Sequence, residues 1–231
     1  MLIVLSFTII SCYNIRMMTI IQNKGIRLGM ADMKIILASQ SQTRYNILSG
    51  FGISPEVLKT DADENISDDF APEYIVKELA TRKAAKAIQM IQEKRVLEPS
   101  AMIIAADTIV ALGNKILGKP ENEQDAFDTL SLLSGAIHEV YSGIAITHGG
   151  ITAIDFDVTR VSFKDIDNRE IDLYIKTGDP MTRAGSYGAE GLGATFIEKI
   201  DGDFFNIAGL PVAKFTKILK EQFGLSIFDL M

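Results

Sequence analysis

Met102-Ile-Ile-Ala-Ala-Asp-Thr-Ile-Val-Ala-Leu-Gly-Asn-Lys-Ile-Leu-Gly-Lys-Pro120 carries two β signals within one short span. Met102–Ala106 is a continuous apolar run whose length suits a buried strand. Ile109–Leu112 and Lys115–Leu117 then flank Gly113-Asn114, the mark of a tight hairpin. A second and longer hairpin is signalled by Val140–Thr147 and Ile151–Phe163 around Gly149-Gly150. Lys34–Ala38 and Glu56–Thr60 read as further short strands.

Helical patterns lie between these strands. Ser39-Gln40-Ser41 leads into a helix ending near Gly50 or Gly52, and Pro72 fits the first turn of a long helix reaching about Arg95. Asn122 can cap a helix carrying Ala126, Phe127, Leu130 and Leu133, stopped by Gly135. Asp167 with Glu170 forms a capping box for a helix that ends at Gly178. Asp179–Gly193 is glycine-rich without a period, which inside a compact domain marks a functional or mobile loop. A strand pair and a helix over Val212–Phe223 close the chain. Strands interleaved with helices, two antiparallel hairpins among them, predict an α/β fold: a mixed twisted sheet with helices packed on it.

The 231 residues are enough for one large domain or two intimate lobes, and 47% hydrophobic against 23% charged residues is the balance of a globular protein. One cysteine excludes an internal disulfide framework and a multi-cysteine zinc site, and two histidines leave little for a histidine-rich metal cage. A formal charge of −7 argues against general nucleic-acid binding, which needs a basic footprint. Met1–Cys12 is apolar but too short to span a bilayer, which takes about 20 residues, and no Lys or Arg precedes it as in an export signal. We therefore expect residues 1–32 to be an extension, or a start assigned too early, and residues 33–231 to be the working domain, in the cytoplasm. The first 32 residues hold Arg16, Lys24 and Arg27 against Asp32 alone, so the remainder is more acidic than the whole. An anionic substrate would have to be held by a few well-placed cations.

Lys83 is the sharpest candidate. At 100° per residue it falls among Val76, Ala80, Ala87 and Met90 on one helix face, while Arg82 and Glu78 point away. A lysine on an apolar stripe either snorkels to water or aims its ammonium at an anion. Ser39-Gln40-Ser41-Gln42-Thr43-Arg44 follows a buried strand and opens a helix. That is an ordinary serine cap, or a place where hydroxyls, free N–H groups and Arg44 hold a phosphate. Asp107 follows Ala106 at an expected strand end, where it could hold a divalent ion, activate water or cap a turn. Lys119 stands on the corner Gly118-Lys119-Pro120, and Asp61, Asp63 and Glu64 form an acidic loop that is either solvated or a metal-binding edge. His138 and His148 show no partner at ligand spacing and read as structural.

Taken together these segments resemble the Maf family of nucleotide pyrophosphatases, known also as septum-formation inhibitors. The matching stretches are Leu37–Ser41 with Arg44, Asp63-Glu64, Leu79–Ala84, Ala106–Thr108, Gly118–Pro120, Leu133–Gly135 with His138, Ala184–Gly188 with Glu190-Gly191, and Ile200–Asp203 with Asn206 and Gly209–Pro211. The resemblance covers about residues 34 to 222. It implies two lobes around a deep cleft, in a fold like that of inosine-triphosphate pyrophosphatases. It implies hydrolysis of a nucleoside triphosphate to monophosphate and pyrophosphate with a divalent cation, Mg²⁺ or Mn²⁺, on non-standard or surplus nucleotides. On this likeness Asp107 is the general base, and Ser39, Ser41, Arg44, Lys83 and Lys119 bind substrate. Glu64 and Asp107 would serve the metal, and Thr43, Thr108 and Glu190 the choice of base.

Two positions depart from the family pattern. Thr43 stands where an arginine is usual. Glu190 stands where the dTTP- and UTP-hydrolysing subgroup has glutamine and the 7-methyl-GTP subgroup glutamate, while Asp107-Thr108 resembles the pyrimidine subgroup. The implied partner is a nucleoside triphosphate, with no nucleic acid or membrane, and a homodimer is left open. The alternative reading is a nucleotide-binding regulator of septum formation whose catalysis is weak or irrelevant.

Overall fold

The computed structural model describes residues 33–93 and 101–231; the expectations for residues 1–32 and for the end of the long helix near Arg95 lie outside them. The elements run β1 (Ile35–Leu37), α1 (Gln42–Gly50), β2 (Glu56–Val57), α2 (Pro72–Glu93), β3 (Met102–Leu112) and β4 (Lys115–Leu117). They continue as α3 (Glu123–Leu133), β5 (Ile137–His148), β6 (Ile151–Phe163), α4 (Asn168–Ile175), β7 (Ile197–Asp201), α5 (Phe204–Ile207) and α6 (Val212–Phe223). Short 3₁₀ turns occupy Asp179–Thr182, Ala184–Ser186, Leu192–Phe196 and Ile227–Leu230.

The seven strands form one mixed sheet in the order β2-β1-β3-β5-β6-β7, with β4 also on β3. β1 lies parallel to β2 and β3, and the other pairs are antiparallel. The expected fold class holds. Asn122 caps α3 on the N–H of Asp125, and Asp167 with Glu170 closes the capping box of α4, as their sequences predict. Where a strand pair was expected before the last helix there is one strand, β7, followed by α5. Asp203 ends the extended run by accepting the Phe205 N–H and capping that helix.

β3 is the axis of the sheet. Along one edge it pairs with β5 from Ile103 to Ala111. Along the other it pairs with β1 over Met102–Ile104 and with β4 over Val110–Leu112, so the sheet forks between those two partners. The stretch Ala105–Ile109 faces the fork. Two large apolar clusters lie on either side of it. One gathers β1, α1, the start of β3 and α6 around Leu37, Ile104, Leu210 and Phe215; the other gathers α3, α4 and the end of β6 around Leu130, Val161, Phe163 and Ile171. These are the two lobes, and the cleft lies between them.

Helix α2 crosses the opposite face of β3 and β5. Ala80, Ala84 and Ala87 are fully buried there against Ile36, Ile103, Ala105 and Ala145. Small side chains let the helix axis approach the sheet closely, since packing leaves no room for voids. The buried stripe of α2 runs Ile75, Val76, Leu79, Ala80, Lys83, Ala84, Ala87 and Ile91, with Met90 only half-buried.

Beyond Phe163 and Arg160, β6 has no strand on its outer side among the described residues, because β7 pairs only with Arg160–Phe163. Along that free edge Asp155 accepts the N–H of Phe156 (2.8 Å) and Asp157 that of Val158 (3.0 Å).

Candidate active site

The fork opens into a cleft of about 760 Å³, a size that suits a small-molecule ligand (roughly 300–1,000 Å³). All ten candidate residues line it: Ser39, Ser41, Thr43, Arg44, Glu64, Lys83, Asp107, Thr108, Lys119 and Glu190. Asp61 and Asp63 do not. Asp61 lies near Lys59, and Asp63 bonds the N–H and side chain of Asn65, so only Glu64 of the acidic loop turns inward.

Asp107 departs from its expected position. It is not at a strand end but within β3, which runs unbroken to Leu112. The strand continues through a carboxylate because the fork gives that side chain an opening and α2 gives it a partner. Lys83 Nζ lies 2.5 Å from Asp107 Oδ1 and 2.8 Å from Glu64 Oε1, with Lys83 and Asp107 each 9% exposed. The ammonium is thus neither snorkelling nor free; it is clamped between two carboxylates. Breaking such a buried pair from one side leaves an uncompensated charge and costs about 3–5 kcal/mol.

Glu64 is delivered by its neighbour on α2. Arg82 donates to the carbonyls of Asp63 (3.2 Å) and Asn65 (2.9 Å), on either side of Glu64, while its Nε is held by Glu78 (2.8 Å). Consecutive residues of one helix therefore act on one loop, Arg82 on its backbone and Lys83 on its carboxylate. Partial burial works to raise the Glu64 carboxyl, but the bond and charge of Lys83, with Lys119 and Arg44, hold it below the usual glutamate value.

Successive residues of a strand face opposite sides. Thr108 accordingly points away from α2 toward Arg44. The Arg44 guanidinium is buried and donates from Nε to the Gly209 carbonyl (2.7 Å), from Nη1 to Ser39 Oγ (3.0 Å) and from Nη2 to Thr108 Oγ1 (3.1 Å). Burial pulls its pKa down from the ordinary arginine value, against the opposing pull of Asp107 and Glu64. Guanidinium has five N–H groups, so two remain for a ligand.

Thr108 Oγ1 also lies 2.8 Å from Ser142 Oγ, which donates onward to the Asn206 carbonyl (2.8 Å). Ser142 faces Thr108 directly across the β3–β5 ladder. The hydroxyl expected to choose the base is thus committed to holding Arg44. Ser39 Oγ accepts from Arg44 and from the Ser41 N–H (3.2 Å), which leaves its own O–H for a ligand. Ser41 caps α1 on the Arg44 N–H (3.4 Å). Lys119 is exposed and has no hydrogen bond or ion pair among the described residues.

On the far wall, Thr43 Oγ1 donates to Glu190 Oε1 (2.6 Å), and Arg183 Nη1 reaches both Thr43 Oγ1 (3.0 Å) and Glu190 Oε1 (2.5 Å). Sequence reasoning missed Arg183 because it stands in the aperiodic loop, 140 residues from Thr43. Ser142 was equally hidden, as one small polar residue inside an apolar strand. His138 is buried, with Nε2 2.8 Å from Tyr187 Oη, and burial lowers its pKa to about 4.

The sequence model of the Maf-like protein family matches residues 34–222, from β1 to the last turn of α6. The chain belongs to the Maf-like family. A relative from Alkaliphilus metalliredigens named dTTP/UTP pyrophosphatase is 42% identical over 196 residues, 84% of this chain and 98% of its own length. One of the same name from Clostridium perfringens is 43% identical over 198 residues, covering 84% of this chain and all of the relative. Another, from Caldanaerobacter subterraneus, is 39% identical over 202 residues, or 85% of this chain and 92% of its own. The Maf-like region thus takes in both lobes and every residue of the cleft named above. No described helix is long and apolar enough to cross a membrane.

Proposed function

We propose that the protein hydrolyses nucleoside triphosphates between the α and β phosphates, releasing the monophosphate and pyrophosphate, with dTTP and UTP as leading substrates. One observation carries this: the 2.5 Å pair of Lys83 and Asp107 at the fork of the sheet, in a cleft that Arg44 and Lys119 also line. The names of the relatives and the Asp107-Thr108 pair support the pyrimidine choice; Glu190 keeps 7-methyl-GTP in the test. On this reading the enzyme clears surplus or non-standard free nucleotides in the cytoplasm.

Each side chain then has a task. Asp107 accepts the proton of the attacking water. Its contribution is position: the carboxylate is fixed at the fork of the sheet by the Lys83 ammonium. Arg44 and Ser39 offer two N–H groups and one O–H in fixed directions, and the first turn of α1 adds backbone N–H groups for phosphate oxygens. Such donors cost no reorganisation when charge grows in the transition state. Lys119, unpaired in the described structure, is the cation able to follow charge onto departing pyrophosphate.

The implied divalent cation fits the residues present. Glu64 and Asp107 converge on one point, the Lys83 ammonium, and their oxygens would hold Mg²⁺ or Mn²⁺ as readily as they hold that charge. Among the described residues no group of three or more His, Cys, Asp or Glu side chains could hold a metal. Two carboxylates suit magnesium, which takes its remaining ligands from phosphates and water. When bound, the ion would neutralise phosphate charge.

The test is purified protein with dTTP, UTP, CTP, ATP, GTP and 7-methyl-GTP, Mg²⁺ present, and both products quantified. Equal amounts of monophosphate and pyrophosphate are expected. Folded protein that turns over none of them would end the proposal.

A further inference from the structure

We infer that Arg82 is a positioning residue: it moors the backbone on both sides of Glu64, so that this carboxylate stays in the cleft when an anionic substrate arrives. The inference rests on the pyrophosphatase reading and adds to its machinery a residue that does not line the cleft.

Glu64 sits in a weak stretch of chain. Residues 59–65 have no regular secondary structure, and none of their side chains is buried. Half-buried Leu58 and Ile66 bracket them, packed on two separate apolar clusters. Between those brackets, among the described residues, every hydrogen bond and ion pair to the rest of the protein comes from Arg82 or Lys83. Ordering such a run of residues is costly in backbone entropy, so it keeps one shape only where something holds it.

The two moorings differ in kind. Lys83 holds the Glu64 carboxylate, and the phosphates of a substrate compete for the same ammonium. A triphosphate also repels that carboxylate directly. A loop held by its charge alone would therefore loosen at the moment it is needed. Arg82 grips uncharged backbone instead. Its Nη1 carries two N–H groups, one for each of the Asp63 and Asn65 carbonyls (3.2 and 2.9 Å). Its Nε is held by Glu78 (2.8 Å), one turn back on α2. A partly exposed i,i+4 pair of this kind adds little to stability, so its use is to aim the guanidinium. Aim matters at a reacting centre, where a misplacement of about 1 Å costs on the order of 10²-fold in rate.

The experiment uses the full chain as wild type, Arg82→Met, Arg82→Lys, Glu64→Gln, and Arg82→Met combined with Glu64→Gln. kcat and KM are measured on UTP with saturating Mg²⁺, beside melting curves and cleavage of the native protein after Glu64 by a glutamyl endopeptidase. Arg82→Met should melt close to the wild type, lose about tenfold in kcat with KM little moved, and be cut after Glu64 about tenfold faster. Arg82→Lys should recover part of both. In the Glu64→Gln background, Arg82→Met should cost less than about twofold more, because the arginine acts only through that carboxylate. Turnover or cleavage unchanged in Arg82→Met, an equal loss in both backgrounds, or Glu64→Gln as active as the wild type overturns the inference and leaves pyrophosphatase activity standing. If Arg82→Met does not fold, Arg82→Gln, with one short donor in place of the fork, enters the same comparison under the same criteria. A wild type inactive on every nucleotide refutes the parent reading instead. The cleavage rates then decide the mooring alone, and no acceleration in Arg82→Met overturns it.

Discussion

Gly143 and Val76 meet backbone to backbone: a Cβ on Gly143 would lie 2.2 Å from the Val76 carbonyl oxygen and 2.9 Å from the Lys77 nitrogen. Gly143 is also the residue opposite Asp107 on β5. The absence of a side chain at this one position lets α2 settle on the sheet, and Lys83 follows seven residues later, about 10 Å along the helix. Gly143→Ala must push α2 outward, since neither backbone can yield as a side chain tip does. We expect a loss of about 3 kcal/mol in urea unfolding, at the upper end for overpacking, and a fall in turnover larger than the stability loss explains. A fully stable, fully active variant would show that the close approach has no bearing on the site.

Asp107→Asn keeps the shape of the side chain but cannot take a proton from water. Turnover should fall by about 10²–10⁴, the usual worth of a general base. Nucleotide affinity should hold or tighten, because a negative charge leaves a cleft built for phosphates. Calorimetry beside a pyrophosphate assay checks both halves. In cells, an effect on septation that survives this substitution would favour the regulatory reading over hydrolysis.

Lys83→Met removes the charge between Glu64 and Asp107 while keeping most of the stem. Both carboxylates are then left facing each other, so Mn²⁺ should bind the nucleotide-free variant more tightly than the wild type, in a calorimetric titration. Turnover should fall all the same, because the ammonium no longer faces the phosphates. Unchanged Mn²⁺ affinity would mean that the lysine does not occupy the place of the ion.

His138 supplies a pH signature. Its folded pKa is about 4, against 6.5 for the ordinary side chain. A lowered value means the unfolded chain binds the proton first, so stability is complete above pH 6.5 and drains away as pH falls toward 4. The full effect is about 3 kcal/mol. Denaturant unfolding between pH 7 and 4.5 should show this slope, and His138→Gln should lose it. A parallel slope in the variant would assign the effect to other groups.

Much of the architecture was legible because it is local. Caps at Asn122 and Asp167, the proline opening α2 and the glycines of both hairpins each act within a few residues, and each appears where its sequence places it. Lys83 was legible because helical periodicity put a charge where apolar residues belong. The course of β3 was misread at Asp107, since a carboxylate in an apolar run looks like a boundary until a distant lysine neutralises it. Arg183 and Ser142 were invisible for a related reason. Their partners are separated from them by 140 and 34 residues, and no periodic pattern reports a pairing across that distance.

The free edge of β6 has its own consequence. An exposed ladder with Ile154 and Val158 outward would ordinarily recruit strands from other molecules. Here the aspartates at 155 and 157 have already engaged two of the edge amides, those of Phe156 and Val158, and Asp157 adds charge where a newcomer would dock. Association through this border should therefore be suppressed, and replacing both aspartates by alanine should release it, with fibrils or oligomers appearing where the wild type stays dispersed.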